Sequence, residues 1–236
     1  MIRLLTTRIL TIALVLTGGL LSKAVLAGDV HHQAFSLTER AQAQLEDFDD
    51  NERWNSVKNT VGSAKAILIM PDGGQLGYLL GTQWGKGIIM ARKNQTWSAP
   101  LFVDMRSYML GLVIGGQKVS GIGILLDDHY LDMLTSESMK ISATGDLTLG
   151  RGVSGKVVAG TSGISTLMVS QNTGAYFGGS VDTFKIKPDT LLNQAIYGDQ
   201  FTPRMILEKF EEQPLLPVQQ IQTKLSQIAY DSVFSE

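Results

Sequence analysis

No cysteine occurs among the 236 residues, which removes disulfides, thiolate metal sites, a cysteine nucleophile and a lipidated N-terminal cysteine together. A chain of this length can do without covalent staples, so its core must hold it. Histidine is almost as scarce: His31 and His32 stand in a polar lead and His129 lies within LLDDHYLD. Serine–histidine chemistry would have to use His129, and no G-x-S-x-G elbow is present to serve it. Asp127, Asp128, His129 and Asp132 have the types of metal ligands, but an Asp pair between an apolar strand and a helix reads more simply as a cap. No enzyme, metal or cofactor is therefore expected. Charged residues make up only 18% of the chain and form no basic run, which argues against a nucleic-acid partner held by phosphate neutralisation.

Apolar runs are short. The longest opening stretch, Ile9 to Leu16, follows Arg3 and Arg8 and is broken by Gly18 and Gly19. It falls short of the roughly 20 residues a spanning helix needs. With Val25, Leu26 and Ala27 ahead of Gly28, residues 1–27 have the three-part layout of a secretory signal cut after Ala27. The expected location is periplasmic or exported. Removing Arg3, Arg8 and Lys23 leaves 17 bases against 22 acids, a charge of −5, which weakens any general attraction to anionic lipid.

What the chain does have is glycine, 25 residues of it, and the pattern around it is β-rich. After a mobile lead over 28–35, Ser36 and Glu39 have capping-box spacing, and Ala41, Leu45 and Phe48 give the helix an apolar face. A second helical segment from Asn51 to Val61 carries Trp54, Val57 and Val61 at spacings of three and four. From Ala66 the texture becomes short apolar runs parted by turn residues: AILIM, QLGYLL, IIMA, WSAPLFVD, YMLGLVIGG, SGIGILL, ISATG, GKVVAG, STLMVS and AYFGGSVDTF. Such close spacing favours antiparallel pairing. A short helix is expected over 128–136, then helices over 190–197, 203–212 and after Pro217. The fold class is α+β: a mainly antiparallel sheet or partial barrel with N-terminal and C-terminal helices packed on it. The expected organisation is a domain over 36–200 with a C-terminal helical extension over 201–236.

GRGVSGKV, Gly150 to Val157, matches G-x-G-x-x-G and, but for Val157, the Walker pattern. Both phosphate loops need a helix after the glycines, and VVAGTSG cannot sustain one. A glycine turn between strands is the reading.

AKAILIMPDGG, GTQWGKGIIMARKNQTWSAPLFV, GLVIGGQKVSGIGILL, NTGAYFGGSVD and IYG occur in order from Ala64 to Gly198. This order resembles the SYLF domain family, which includes lipid-binding proteins of eukaryotic membranes and actin patches and exported bacterial proteins. The most specific pieces are Gly85-Lys86-Gly87, Trp97-Ser98-x-Pro100 and the segment from Gly174 to Gly178. The resemblance implies a compact phospholipid-binding domain whose N-terminal amphipathic helix contacts the membrane. Here 36–65 carries four bases against six acids, the wrong balance for a polybasic site, so phosphoinositide specificity is not carried over. The family's Gly-Pro pair is replaced near Gly150-Arg151-Gly152, and a basic residue by Thr173.

The expectation is a non-enzymatic phospholipid-binding or membrane-associated protein of the bacterial cell envelope. Candidate lipid contacts are Lys86, Arg92, Lys93 and Trp97, bases beside an aromatic, with Arg151 and Lys156 from the glycine turn. The alternative is an interaction module that self-associates or binds an envelope partner through the stripe Val218, Ile221, Leu225 and Ile228. Actin is not expected as a partner of an exported chain.

Overall fold

The computed structural model describes residues 28–136, 138–142, 145–148, 153–160, 163–211 and 215–234. The expected signal segment 1–27 and Arg151 lie outside them. The fold is α+β, a mainly antiparallel seven-stranded sheet with helices packed against it.

Helix α1 covers residues 28–50. The segment read as a mobile lead is thus helical, and Ser36 lies within the helix rather than at its cap. The reason is that the apolar stripe begins earlier than Ser36: Ala34, Leu37, Ala41, Leu45 and Phe48 are all buried, with Val30 packed alongside. A 3₁₀ turn (Glu52–Trp54), the short α2 (Asn55–Lys58) and a second 3₁₀ turn (Val61–Ser63) follow. These bury Trp54, Val57 and Val61 in the same core.

The sheet departs from the run of short hairpins that the turn residues suggest. Three strands are very long: β1 (Ala66–Lys93, 28 residues), β3 (Leu101–Leu125, 25 residues) and β7 (Gly163–Pro188, 26 residues). Between them lie β2 (Thr96–Trp97), α3 (His129–Ser136), β4 (Met139–Ser142), β5 (Gly145–Thr148) and β6 (Val153–Gly160). The strand order is β2-β1-β3-β7-β6-β5, with β4 also on β7, and every pair is antiparallel.

A straight strand of 28 residues would measure about 90 Å, far beyond a compact domain with a radius of gyration near 17 Å. The long strands must bend, and PDGG, GTQWGKG and the paired glycines Gly77 and Gly115 lie within strands rather than between them. Register shifts between Met70 and Gly73, and again between Tyr78 and Leu80, mark the bend in β1. The curl brings the two ends of β1 together. Arg92 N–H donates to Lys65 O at 2.7 Å, and a Cβ built at Gly87 would sit 2.4 Å from Ile69 O. Glycine in Gly85-Lys86-Gly87 is thus explained by contact: only a residue without a side chain lets one arm of β1 lie against the other.

Two cores result, one on each face of the strands. Ile67, Ile69, Ile88, Met90, Phe102 and Ile124 face α1 and α6 (Leu216–Phe234). Leu68, Met70, Ile89, Leu101, Val103 and Met105 face the other way, toward α3 and the five-residue α5 (Pro203–Leu207). Helix α4 (Thr190–Tyr197) joins β7 to this assembly through Asn193. The Asn193 amide is buried: its Oδ1 accepts from Phe102 N–H at 3.0 Å, and its Nδ2 donates to Phe102 O at 2.7 Å and Asp189 O at 2.8 Å. A side chain here extends the β3 ladder onto a helix.

The stripe Val218, Ile221, Leu225 and Ile228 lies in this first core, each side chain at most 4% exposed. That corrects its assignment as a partner surface. Apolar spacing on a helix registers burial, and here the fold itself covers the stripe. Helix α6 packs on this core through the same side chains.

Candidate functional site

GRGVSGKV resolves against a phosphate loop. Lys156 and Val157 stand in β6, which pairs with β5 on one side and β7 on the other. A strand follows where a nucleotide loop needs a helix N-terminus. Lys156 is in register with Asp146 and Met168, and Arg151 is outside the described residues.

Trp97 is 1% exposed, a core residue rather than an exposed aromatic. Its ring carries the Arg92 guanidinium 5.7 Å above it. That guanidinium is committed to backbone: Nε donates to Asn94 O at 2.9 Å, and Nη1 to Val61 O at 3.1 Å and to Gly62 O. Partial burial lowers the Arg92 pKa from its ordinary value. Trp97 and Arg92 therefore join the 3₁₀ turn, β1 and α6, where Gln222 Nε2 also donates to Trp97 O at 2.8 Å. The neighbouring Ser98 Oγ accepts from Ala91 N–H and donates to Ala99 O. Trp97-Ser98-x-Pro100 is a structural joint. Lys93 is exposed, 5.9 Å over the Phe210 ring, beside a cavity of mixed charge that also holds Asp128, Asp132, Arg204 and Glu208.

Lys86 is half-exposed and already paired. Its ammonium donates to Asp189, a carboxylate only 5% exposed, and stands 3.5 Å from Asp104. Asp189 also caps α4, its Oδ1 accepting from Leu192 N–H at 3.1 Å. Burial by itself pulls the Lys86 pKa down, but the hydrogen bond and charge of Asp189, with Asp104 behind, leave it above the ordinary lysine value.

The open chemistry lies one step along the same strands. A groove of about 820 Å³ is bounded by α1 through Leu37 and Arg40 and by β1 and β3 through Asp72, Trp84, Lys86, Asp104, Arg106, Tyr108 and Lys118. Arg40 is paired with Asp72. Arg106 and Lys118 make no ion pair among the described residues. Trp84 is 48% exposed and Tyr108 67%. The indole of Trp84 is seated on the backbone of Gly74, where a Cβ would come within 2.6 Å of the ring.

Strand register widens this surface. Trp84 lies opposite Arg106, Arg106 opposite Lys185, and Lys185 opposite Lys140. Residues directly opposite share a face, so one aromatic and three cations form a row across four strands. Lys187 lies one step further, opposite Asp104. Met105, Ser107, Phe184 and Ile186 alternate with these residues and are buried, while Lys140, Lys185 and Lys187 are exposed. None of these three makes an ion pair among the described residues. Among the described residues, Lys86 is the one sequence-based candidate that lines this groove. Arg106, Lys118, Lys140, Lys185, Trp84 and Tyr108 are not among the sequence-based candidates, although the period-two alternation in DMRSY and TFKIK is a legible signal of an outward polar face.

His129 is exposed at the start of α3, its backbone N–H donating to Asp127 Oδ1 at 2.9 Å. Asp127 caps the opening of this helix as its position suggests, while the Asp128 carboxylate stands 3.5 Å from the Lys65 ammonium. Among the described residues no cluster of three metal-ligating side chains occurs, and no helix is long and apolar enough to cross a membrane.

A family model described as "Ysc84: Las17-binding protein actin regulator" matches residues 106–228, just over half of the 236-residue chain. Protein YSC84 of Saccharomyces cerevisiae (strain ATCC 204508 / S288c) is 31% identical over 138 residues, covering 56% of this chain and 29% of that protein. LAS seventeen-binding protein 3 of Saccharomyces cerevisiae (strain YJM789) is 32% identical over 145 residues, 56% of this chain and 30% of its own length. The chain thus spans under a third of the length of these curated relatives. No solved structure matches it.

Proposed function

The chain belongs to the Ysc84 family of SYLF domains, and from that premise we propose that it is a non-enzymatic phospholipid-binding protein associated with a bacterial cell-envelope membrane. The observation that carries the proposal is the groove in which Arg106 and Lys118 make no ion pair among the described residues and stand beside the exposed rings of Trp84 and Tyr108. Unpaired cations beside amphipathic aromatics suit a phosphate headgroup at the membrane interface. The row through Lys185 and Lys140 enlarges the positive field locally, although the chain as a whole is acidic. Export to the periplasm is part of the proposal, supported by Arg3 and Arg8 ahead of an apolar run and Ala27 before Gly28.

Las17 binding is in the description of the family and in the name of one yeast relative, LAS seventeen-binding protein 3. For an exported chain a lipid surface is the partner at hand, and actin is not proposed. A second reading, a module that holds a protein partner through its C-terminal helix, rests on residues other than the buried stripe. Tyr230, Val233 and Phe234 are 59%, 60% and 65% exposed, with the two rings 4.6 Å apart.

Vesicle flotation tests the lipid proposal. The protein is expected to bind vesicles rich in phosphatidylglycerol, more weakly as salt rises. The double variant Arg106→Glu, Lys118→Glu should bind at least about tenfold more weakly, since attraction is worth about 1 kcal/mol per base. Wild-type binding that ignores both salt and the double variant would refute the groove's role.

A further inference from the structure

The bend of the curled sheet carries apolar side chains in water. Leu76 and Leu80 flank it on β1 and are 59% and 70% exposed. In register with Leu80 are Leu110 and, on the next strand, Val181. In register with Tyr78 are Ile114 and Phe177. Three strands thus reach their apolar, glycine-containing stretches at the same level, where the sheet turns back on itself.

The residues follow an order away from this bend. Leu80 comes first. Two residues along, the Thr82 and Tyr108 pair brings an exposed phenol; four along, the Trp84, Arg106, Lys185 and Lys140 row brings the indole and the cations. At about 3.3 Å per residue these levels stand roughly 7 and 13 Å from Leu80. The headgroup zone of a leaflet is about 5–8 Å deep. With Leu80 a few Å inside the hydrocarbon, Tyr108 falls in the headgroup zone and the cation row at its outer edge, where phosphates meet water. Apolar tip, aromatic belt and cations in this order are the sequence of environments across a membrane interface.

We propose that the glycine-rich bend of the β-sheet inserts into an anionic phospholipid leaflet and that Leu80 and Leu76 are its penetrating side chains. The inference rests on the lipid-binding reading and adds the element that enters the bilayer. It assigns that role to the sheet rather than to α1, whose apolar stripe from Ala34 to Phe48 is buried against the core. The exposed face of α1 is polar apart from Phe35, which is 37% exposed, and Ala43. Charge complementarity selects the occupant, because an apolar tip backed by a row of cations that make no ion pair among the described residues matches a negatively charged bilayer better than a second copy of an acidic chain.

A single reporter reads the insertion directly, since the chain has no cysteine of its own. Leu80→Cys and, on the exposed side of α1, Glu39→Cys are each labelled with an environment-sensitive fluorophore and mixed with phosphatidylglycerol vesicles. Emission from position 80 should shift to the blue and be quenched by spin-labelled acyl chains, while emission from position 39 stays constant. Leu76→Asp with Leu80→Asp, both at exposed positions, should keep the circular dichroism of the native fold and bind vesicles at least about tenfold more weakly. If protein floats with vesicles while the position 80 emission does not move, the insertion is refuted and the headgroup groove stands. If no protein floats, both fall. A blue shift that grows with protein concentration in the absence of vesicles would assign the tip to a second copy and overturn the proposal.

Discussion

Replacing Lys86 by Gln separates a structural lysine from a headgroup ligand at the centre of the Gly85-Lys86-Gly87 motif. Asp189 is 5% exposed and is held from two sides, by Leu192 N–H on Oδ1 and by the Lys86 ammonium on Oδ2. Removing one partner of a fully buried ion pair costs about 3–5 kcal/mol. Here Lys86 is half in solvent and the helix cap survives, so the loss is closer to that of one hydrogen bond to a charged group, about 1.5–3 kcal/mol. For a domain of this size that corresponds to a fall in Tm of about 3–12 °C. A double-mutant cycle with Asp189→Asn in urea denaturation isolates the pair: Lys86→Gln should cost much less once Asp189 is neutral. The pH dependence has a definite sign. Because the folded Lys86 pKa lies above the ordinary 10.5, its stabilisation is fully present below that value and is lost as pH rises through the folded pKa. The wild type should therefore lose its margin over Lys86→Gln in strongly alkaline solution and nowhere near neutrality. Vesicle binding should change less than about twofold. A variant with unchanged Tm and strongly reduced vesicle binding would refute this reasoning and make Lys86 a lipid contact.

Two further substitutions probe how the curl is held. Asn193→Ala removes three buried hydrogen bonds and leaves Phe102 N–H without its side-chain partner, while Phe102 O keeps Asp189 N–H at 2.9 Å. A loss of about 2–4 kcal/mol is expected in chemical denaturation, and a loss below about 1 kcal/mol would show that α4 is not pinned through this amide. Gly87→Ala puts a methyl 2.4 Å from Ile69 O, a backbone atom that cannot rotate away. The two arms of β1 must then part, and soluble yield and Tm should both fall, whereas a Tm within about 2 °C of wild type would refute the close approach.

The alternation of apolar and polar residues was enough to mark strands, and the spacing in α1 and α6 was enough to mark helices with one buried face. Burial of Trp54, Val57 and Val61 followed from spacing in the same way. Strand length was not legible. Glycine and proline in PDGG read as turns because turns are their commonest use, yet here they let a paired strand bend and continue. The exposure of the tryptophans was equally hidden: Trp97 and Trp84 both stand beside bases in sequence, and only the curl decides that Arg92 and α6 bury one while Gly74 seats the other at the surface.

Local chemistry determined by itself that this chain has no thiol and that a strand, not a helix, follows the glycines of GRGVSGKV. Those conclusions depend on residue type and near neighbours, which folding does not alter. It also determined the α+β class, because periodicity is a property of consecutive residues. Tertiary structure decided what the charges do. Lys86 meets an acid 103 positions away and is consumed by it, while Arg106, Lys185 and Lys140, scattered over three strands, are brought into one row by register. Which cation is neutralised and which is left for a ligand depends on pairings between distant segments, and no local pattern encodes those.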